Sequence, residues 1–282
     1  MGRPPDFIGL GAQRSGTSWI YACLYEHPQV YAPVKELHFF SRVRNWSKGY
    51  EWYESIFGKC PPTVKAGEFS TSYLFDPFTP ERIHGRYPNV KLILSLRNPV
   101  DRAYSNYMND IMSGAVDPKT SFEEALPSHP EYLEQGYYAK FLGGYLRYFQ
   151  RSQLLILICE DSRKDPRSFI QSIYRFIGVD QDFVPSMLFR QVNVGRVPRS
   201  PKLERLMGRA SESLRATRLR NVWWLAKKAG IGAWLRSLNT HTVAQRASRL
   251  ETSPRGHLLS LFEDDIRALE QVAGRELREW RE

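Results

Sequence analysis

The chain has 282 residues, 42% of them apolar and 25% charged, and a formal net charge of +10. That balance excludes disordered, collagen-like and coiled-coil proteins. The three cysteines, Cys23, Cys60 and Cys159, are too few and too scattered for a disulfide framework or a cysteine zinc site.

The longest apolar runs, such as Leu154 to Cys159, fall far short of the roughly 20 residues that cross a bilayer. The start lacks the apolar stretch of a signal peptide, so a cytoplasmic location is expected.

The first element is a short apolar strand, Phe7 to Leu10, which runs into Gly11-Ala-Gln-Arg14-Ser15-Gly16-Thr17-Ser18-Trp19. Trp19, Ile20, Cys23 and Leu24 then share one face of a helix. A glycine turn feeding a helix N-terminus points backbone N–H groups at one spot, where partial positive charge collects. Ser15, Thr17 and Ser18 add hydroxyls. Gly11, Gly16 and Ser18 fit the G-x-x-x-x-G-K-[ST] phosphate loop, but Thr17 replaces its lysine and Arg14 is the loop's cation. The pattern selects an oxyanion other than the triphosphate that the lysine serves.

Pro33 to Phe40 follows, with Lys35, Glu36 and His38 beside aromatic residues, and Glu36 to Phe57 reads as loop and short helix. By residue type alone, Glu36 is a surface carboxylate paired with Lys35, and His38 a polar residue on an aromatic cluster. Lys91 to Leu96 is a second buried strand. It sets Arg97 at its carboxyl end, where open α/β sheets bind ligands. Asn98, Pro99 and Asp101 are a cap, a first-turn proline and a dipole-matched acid, which places Ser105 in the second turn of a helix. Arg97 and Ser105 can together hold a second phosphate; alternatively Arg97 is structural and pairs with Asp101 or another carboxylate.

Helical spacing recurs at Phe141, Tyr145, Leu146 and Phe149, and a third strand spans Gln153 to Cys159. Apolar strands alternating with amphipathic helices imply a three-layer α/β/α fold around a mostly parallel sheet. From Arg196 to Arg255, 14 Lys and Arg face only Glu204, Glu212 and Glu251, a net +11 that leaves −1 for the rest. This late basic elaboration, with Trp223, Trp224 and Trp234 among its arginines, is read as helical and part of one domain spanning 1–282. Leu258, Leu259, Phe262, Ile266 and Leu269 then mark an amphipathic helix.

G-x-Q-R-S-G-T-S-W together with L-R-N-P-V-D-R-A-Y-S resembles the sulfotransferases that use 3′-phosphoadenosine-5′-phosphosulfate (PAPS). The likeness is to their heparan-sulfate and bacterial carbohydrate branch, and it extends from about Phe7 to Asp182. It implies an enzyme that moves a sulfuryl group from PAPS to an acceptor hydroxyl of a carbohydrate or glycolipid. Arg14, Ser15, Gly16, Thr17 and Ser18 would hold the 5′-phosphosulfate, and Arg97 and Ser105 the 3′-phosphate. Arg14 stands where many relatives carry lysine.

Lys35-Glu36-Leu37-His38-Phe39-Phe40 is similar to the K-E-x-H-F-F segment of that branch, in which the glutamate is the base. Glu36 becomes the candidate base, with His38 its rival. Lys35 and Arg14 become candidates for stabilising the leaving oxygen. Glu68 to Tyr73 is similar to E-K-[ST]-P-x-Y, with Phe69 in place of the lysine and Thr71 in place of the proline. His38, Ser70, Tyr73 and Arg196 are candidate acceptor contacts. No metal is expected, and no nucleic acid.

Two other functions fit parts of the chain. A P-loop kinase or NTPase would use Leu154 to Asp161 as a strand ending in a magnesium-binding carboxylate. A non-enzymatic module would bind anionic glycan or membrane through residues 196–255. Within that stretch, 218–236 is the candidate peripheral membrane contact, and the whole segment is a candidate lid or acceptor wall.

Overall fold

The computed structural model describes residues 2–41, 45–190, 196–198, 240–242 and 252–281. Two compact units divide the chain. The first holds residues 1–102, 133–192 and 258–282, and the second holds 103–132 and 193–257.

The first unit contains a sheet of five strands. These are β1 (Phe7–Gly11), β2 (Val30–Tyr31), β3 (Lys65–Phe69), β4 (Lys91–Leu96) and β5 (Leu154–Ile158), ordered β2-β3-β1-β4-β5. Every neighbouring pair is parallel. All five residues of β1 are buried, as an unbroken apolar run at the middle of a parallel sheet requires.

From β1 the chain builds β2 and β3 to one side before β4 starts on the other. The strand order therefore reverses at β1, and the crevice at the carboxyl ends of β1 and β4 is where such a sheet takes a ligand. The β1–β3 pairing is closed by a reciprocal fit. Phe7 lies opposite Gly67, and Gly9 opposite Phe69. A Cβ on Gly9 would stand 1.9 Å from the Phe69 ring, and one on Gly67 would stand 2.5 Å from Phe7.

Helix α1 (Thr17–Glu26) packs Ile20, Cys23 and Leu24 against Phe7, Ile93 and Leu157 of the sheet and against the helix Pro166–Ile177. That second helix starts where Asp165 accepts a hydrogen bond from Ser168 N–H at 3.0 Å, with Pro166 in the first turn. It ends at Gly178, left-handed at φ 79°. The last helix, Thr252–Ala273, buries Leu258, Phe262, Ile266 and Leu269, as their spacing requires. Its Asp265 accepts hydrogen bonds from the N–H groups of Ala139 and Lys140, each at 3.0 Å, and so caps the helix Tyr138–Leu146.

Between β2 and β3 come a 3₁₀ turn at Trp46–Lys48 and helix α2 (Gly49–Ser55). Helix α3 (Thr79–Arg86) follows β3. Helix α4 (Pro99–Ser113) follows β4, and its cap is as expected. The Asn98 side chain accepts from Val100 N–H at 3.0 Å and from Asp101 N–H at 3.2 Å.

In the second unit, Tyr104, Tyr107, Phe122 and Tyr132 pack edge to face and tilted. Strands β6 (Arg196–Pro198) and β7 (Thr240–Thr242) pair antiparallel there. Side-chain positions across the basic segment, including Arg196 and the proposed membrane contact 218–236, lie outside the described residues. Among the described residues, no helix is long and apolar enough to cross a membrane.

Candidate active site

The β1–α1 connection is shaped by backbone that turns left-handed. Gly11 has φ +125°, and a Cβ there would meet the Thr71 carbonyl at 3.1 Å. Arg14 follows at φ 69° and Gly16 at φ 78°. Helix α1 begins with no side-chain cap and no acidic residue in its first turn. Its leading N–H groups and dipole are thus left for an anion to satisfy. Arg14, Thr17 and Ser18 line a cleft of about 320 Å³, together with Gln13 from the same loop.

Lys35, Glu36, His38 and Thr71 form the opposite wall. Lys35 forms a parallel bridge to Phe69 at the end of β3, and Glu36 N–H donates to the Phe69 carbonyl at 2.7 Å. Glu36 and His38 are then both left-handed, at φ 60° and φ 50°. Such angles are uncommon for residues with a Cβ, and they persist only where the surroundings impose them.

The Glu36 carboxylate is held at both oxygens. Lys35 Nζ donates to Oε1 at 2.9 Å, and the Thr71 N–H and hydroxyl donate to Oε2 at 2.9 and 3.1 Å. Burial works against its charge. The Lys35 hydrogen bond, the Thr71 N–H and the charges of Lys35 and His38 outweigh burial and hold the carboxyl below the ordinary carboxylate range. Lys35 Nζ also donates to Ser18 Oγ at 3.2 Å, so one ammonium links the phosphate loop to the carboxylate. His38 Nε2 lies 3.4 Å from Glu36 Oε2, and its Nδ1 lies 2.7 Å from Ser72 Oγ.

Arg97 follows β4, and its carbonyl accepts from Tyr138 O–H at 2.9 Å. Its guanidinium pairs with no carboxylate among the described residues; Asp101 does not take it. Ser105 lies on α4, in the stretch that belongs to the second unit. The carboxylates that would serve a kinase already have partners in the fold. Glu160 accepts from Asn98 N–H at 3.0 Å through one oxygen, its other oxygen being buried without a hydrogen-bond partner, and Asp161 pairs with Arg275.

Residues 4–207 match the family described as the sulfotransferase domain. The chain belongs to that family. This sulfotransferase-family chain is 31% identical over 200 residues to the human bifunctional heparan sulfate N-deacetylase/N-sulfotransferase 3, an alignment covering 63% of the chain and 22% of that relative. It is 31% identical over 183 residues to the heparan sulfate glucosamine 3-O-sulfotransferase 6 of Mus musculus, covering 63% of the chain and 53% of that relative. The chain thus spans about a fifth to a half of the length of these curated relatives. A crystal structure of a sulfotransferase from Alicyclobacillus acidocaldarius superposes with a TM-score of 0.71 at 26% identity, covering 99% of this chain and 100% of that one.

Of the residues expected from the sequence, the cleft gathers Arg14, Thr17, Ser18, Lys35, Glu36 and His38 from two separate stretches. Three expected contacts need correcting. Ser15 is fully buried, so its hydroxyl does not line the cleft. Ser70 and Tyr73, expected to meet the acceptor, are also fully buried, and their hydroxyls bond to the Glu68 carboxylate at 2.6 Å each. A hydroxyl sealed in the core and spent on a carboxylate is not available to a substrate.

Two cleft residues went unassigned in the sequence. Gln13 carried no signal beyond its place in the loop. Thr71 carried one, because a proline there has no N–H to give, whereas threonine supplies two donors to Glu36.

Proposed function

We propose that the protein transfers the sulfuryl group of PAPS to a hydroxyl of a carbohydrate or glycolipid acceptor. The observation that carries this is Lys35, whose ammonium touches Ser18 of the phosphate loop and the Glu36 carboxylate at once. The anion-binding wall and a poised base thereby face one cleft, and in-line transfer needs both. The heparan sulfate sulfotransferases among the relatives support a glycan acceptor.

The acceptor oxygen forms its bond to sulfur as the bond from sulfur to the bridging phosphate oxygen breaks. Glu36 takes the hydroxyl proton during that step, which a carboxylate already ionised by Lys35 and Thr71 is ready to do. Lys35 and Arg14 meet the charge that appears on the departing phosphate oxygen. His38, beside Glu36 Oε2, orients the carboxylate. The backbone of Arg14 to Ser18 fixes the phosphate, so the chemistry is mostly positioning and electrostatics, as in phosphoryl transfer.

Titration calorimetry with 3′-phosphoadenosine-5′-phosphate, without metal, tests the donor site. Wild type binds the nucleotide and prefers it to ATP, and Arg97→Ala weakens it roughly 10- to 100-fold through loss of charge-assisted hydrogen bonds. Preference for ATP with magnesium would overturn the proposal in favour of a kinase. Transfer from PAPS to desulfated heparan oligosaccharides then tests the acceptor class.

A further inference from the structure

Beneath the cleft lies a carboxylate that the transfer chemistry leaves unused. Glu68, on β3, is fully buried. Ser70 Oγ donates to its Oε2 at 2.6 Å. Tyr73 O–H donates to its Oε1 at 2.6 Å, and Tyr53 O–H reaches the same oxygen at 3.4 Å. Among the described residues, no Lys or Arg pairs with it. A buried carboxylate without a counter-ion is costly and persists where hydrogen bonds and geometry hold it.

The two strong donors to Glu68 are also acceptors. Ser70 Oγ accepts from the His38 N–H at 2.9 Å, and Tyr73 O–H accepts from the Phe39 N–H at 2.9 Å. Each hydroxyl therefore sits between a backbone N–H of the Lys35–Phe40 segment and the same carboxylate. Donation to an anion polarises a hydroxyl and strengthens the bond it accepts. His38 is one of the two strained left-handed residues of that segment, and Glu36 is the other. Tyr145 O–H, donating to the Tyr73 carbonyl at 2.8 Å, pins Tyr73 from the other side.

We propose that Glu68 is a positioning residue, which holds the segment bearing Glu36 and His38 in its left-handed conformation through Ser70 on the His38 N–H and Tyr73 on the Phe39 N–H. The proposal rests on the transfer reading for its catalytic consequence, but not for the relay itself.

Glu68 is also placed to couple this support to pH. Burial pushes its carboxyl up to about 7; the Glu36 charge adds to the rise, while hydrogen bonds from Ser70, Tyr73 and Tyr53 oppose it. The titratable groups that face it are Tyr21 from α1, Tyr53 from α2, Tyr73 and Glu36. The three tyrosines are all pushed up by burial, so they stay neutral while Glu68 titrates. Protonation removes one of the two acceptor oxygens, and the hydroxyl facing it must turn. Both relays are therefore complete only above the Glu68 midpoint.

The test uses the full chain and two readouts. In amide NMR of the wild type, the His38 and Phe39 resonances titrate together with a midpoint near 7. Glu68→Gln abolishes that titration. Ser70→Ala abolishes it at His38 alone, and Tyr73→Phe at Phe39 alone. Amides that do not titrate, or that titrate unchanged in Glu68→Gln, overturn the relay. If Glu68→Gln fails to fold, the residue-specific losses in Ser70→Ala and Tyr73→Phe decide the same point.

With PAPS and desulfated heparan oligosaccharide, Glu68→Gln lowers kcat about 10- to 100-fold, the cost of a misplaced reacting group, and leaves KM for PAPS within about twofold. The wild-type kcat is expected to rise through pH 7 as Glu68 ionises, and Glu68→Gln removes that rise. An unchanged kcat in a folded variant overturns the positioning role. A wild type that neither binds 3′-phosphoadenosine-5′-phosphate nor turns over overturns the transfer reading instead, and the amide titration still decides the relay.

Discussion

On one wall of the cleft the binding groups come from the backbone of a single loop. On the other they come from side chains that meet only when β3 lies beside the Lys35–His38 segment. The loop wall needs few specific side chains. Left-handed Arg14 and Gly16 and an uncapped helix start make the cradle, and Arg14, Thr17 and Ser18 decorate it. The carboxylate wall needs almost every neighbour it has. Lys35, Thr71 and His38 grip Glu36, while Glu68, Ser70 and Tyr73 hold the segment from below. Backbone sites tolerate substitution around them, and side-chain sites do not. Mutations should therefore split by wall, with the carboxylate wall giving the larger losses in turnover.

The sharpest break is Glu36→Gln. It keeps the size of the side chain and removes the proton acceptor, so kcat for transfer falls about 10²- to 10⁴-fold, the range of general-base catalysis. Binding of 3′-phosphoadenosine-5′-phosphate by calorimetry stays close to wild type, because the loop wall is untouched. If the binding were lost as well, the two walls would not be separable in the way their construction suggests.

Lys35→Ala breaks the link between the walls, because Lys35 touches both Ser18 and Glu36. Removing a charge aimed at the leaving oxygen costs about 10²- to 10³-fold in kcat. The same change frees Glu36 from its largest stabilising partner and raises its pKa. The variant should therefore show both a lower plateau and an acid limb moved to higher pH. A lower plateau with an unmoved limb would separate the leaving-group role from the tuning of the base.

The difference between the walls also explains what the sequence made legible. The phosphate loop is contiguous, so Gly11, Gly16 and Ser18 announce it by spacing alone, and β1, β4 and β5 announce themselves as unbroken apolar runs. Strand β3 does not, because Gly67 and Glu68 interrupt its apolar pattern. Gly67 is there to admit the Phe7 ring, and Glu68 to anchor two hydroxyls. Both departures have reasons that exist only after the strands have paired. Ser70 and Tyr73 were legible as polar residues near a motif but not as buried ones. Their burial follows from their return past the end of β1, where Ser70 N–H and Leu74 N–H donate to the Gly9 and Leu10 carbonyls. The candidate role of Glu36 as base came from family resemblance, not from its residue type.

The finest distinction between the walls lies at Thr71, where one residue gives Glu36 two donors. Thr71→Val removes the hydroxyl and keeps the N–H, whereas Thr71→Pro removes both. Each lost donor weakens the stabilisation of the carboxylate, so the Glu36 pKa rises, and it rises further in the proline variant. A base works only when deprotonated. The acid limb of kcat/KM therefore moves to higher pH in the order wild type, Thr71→Val, Thr71→Pro, with little change on the alkaline plateau. Stability follows the same sign. Because the folded pKa of Glu36 lies below its unfolded value, its contribution is present above the unfolded pKa and lost as pH falls through the folded one. Thr71→Pro should shrink that contribution, which urea titrations on either side of the carboxylate range would read. Limbs that coincide in all three proteins would mean that Lys35 and His38 alone hold the carboxylate ionised, and that Thr71 only closes the cleft wall.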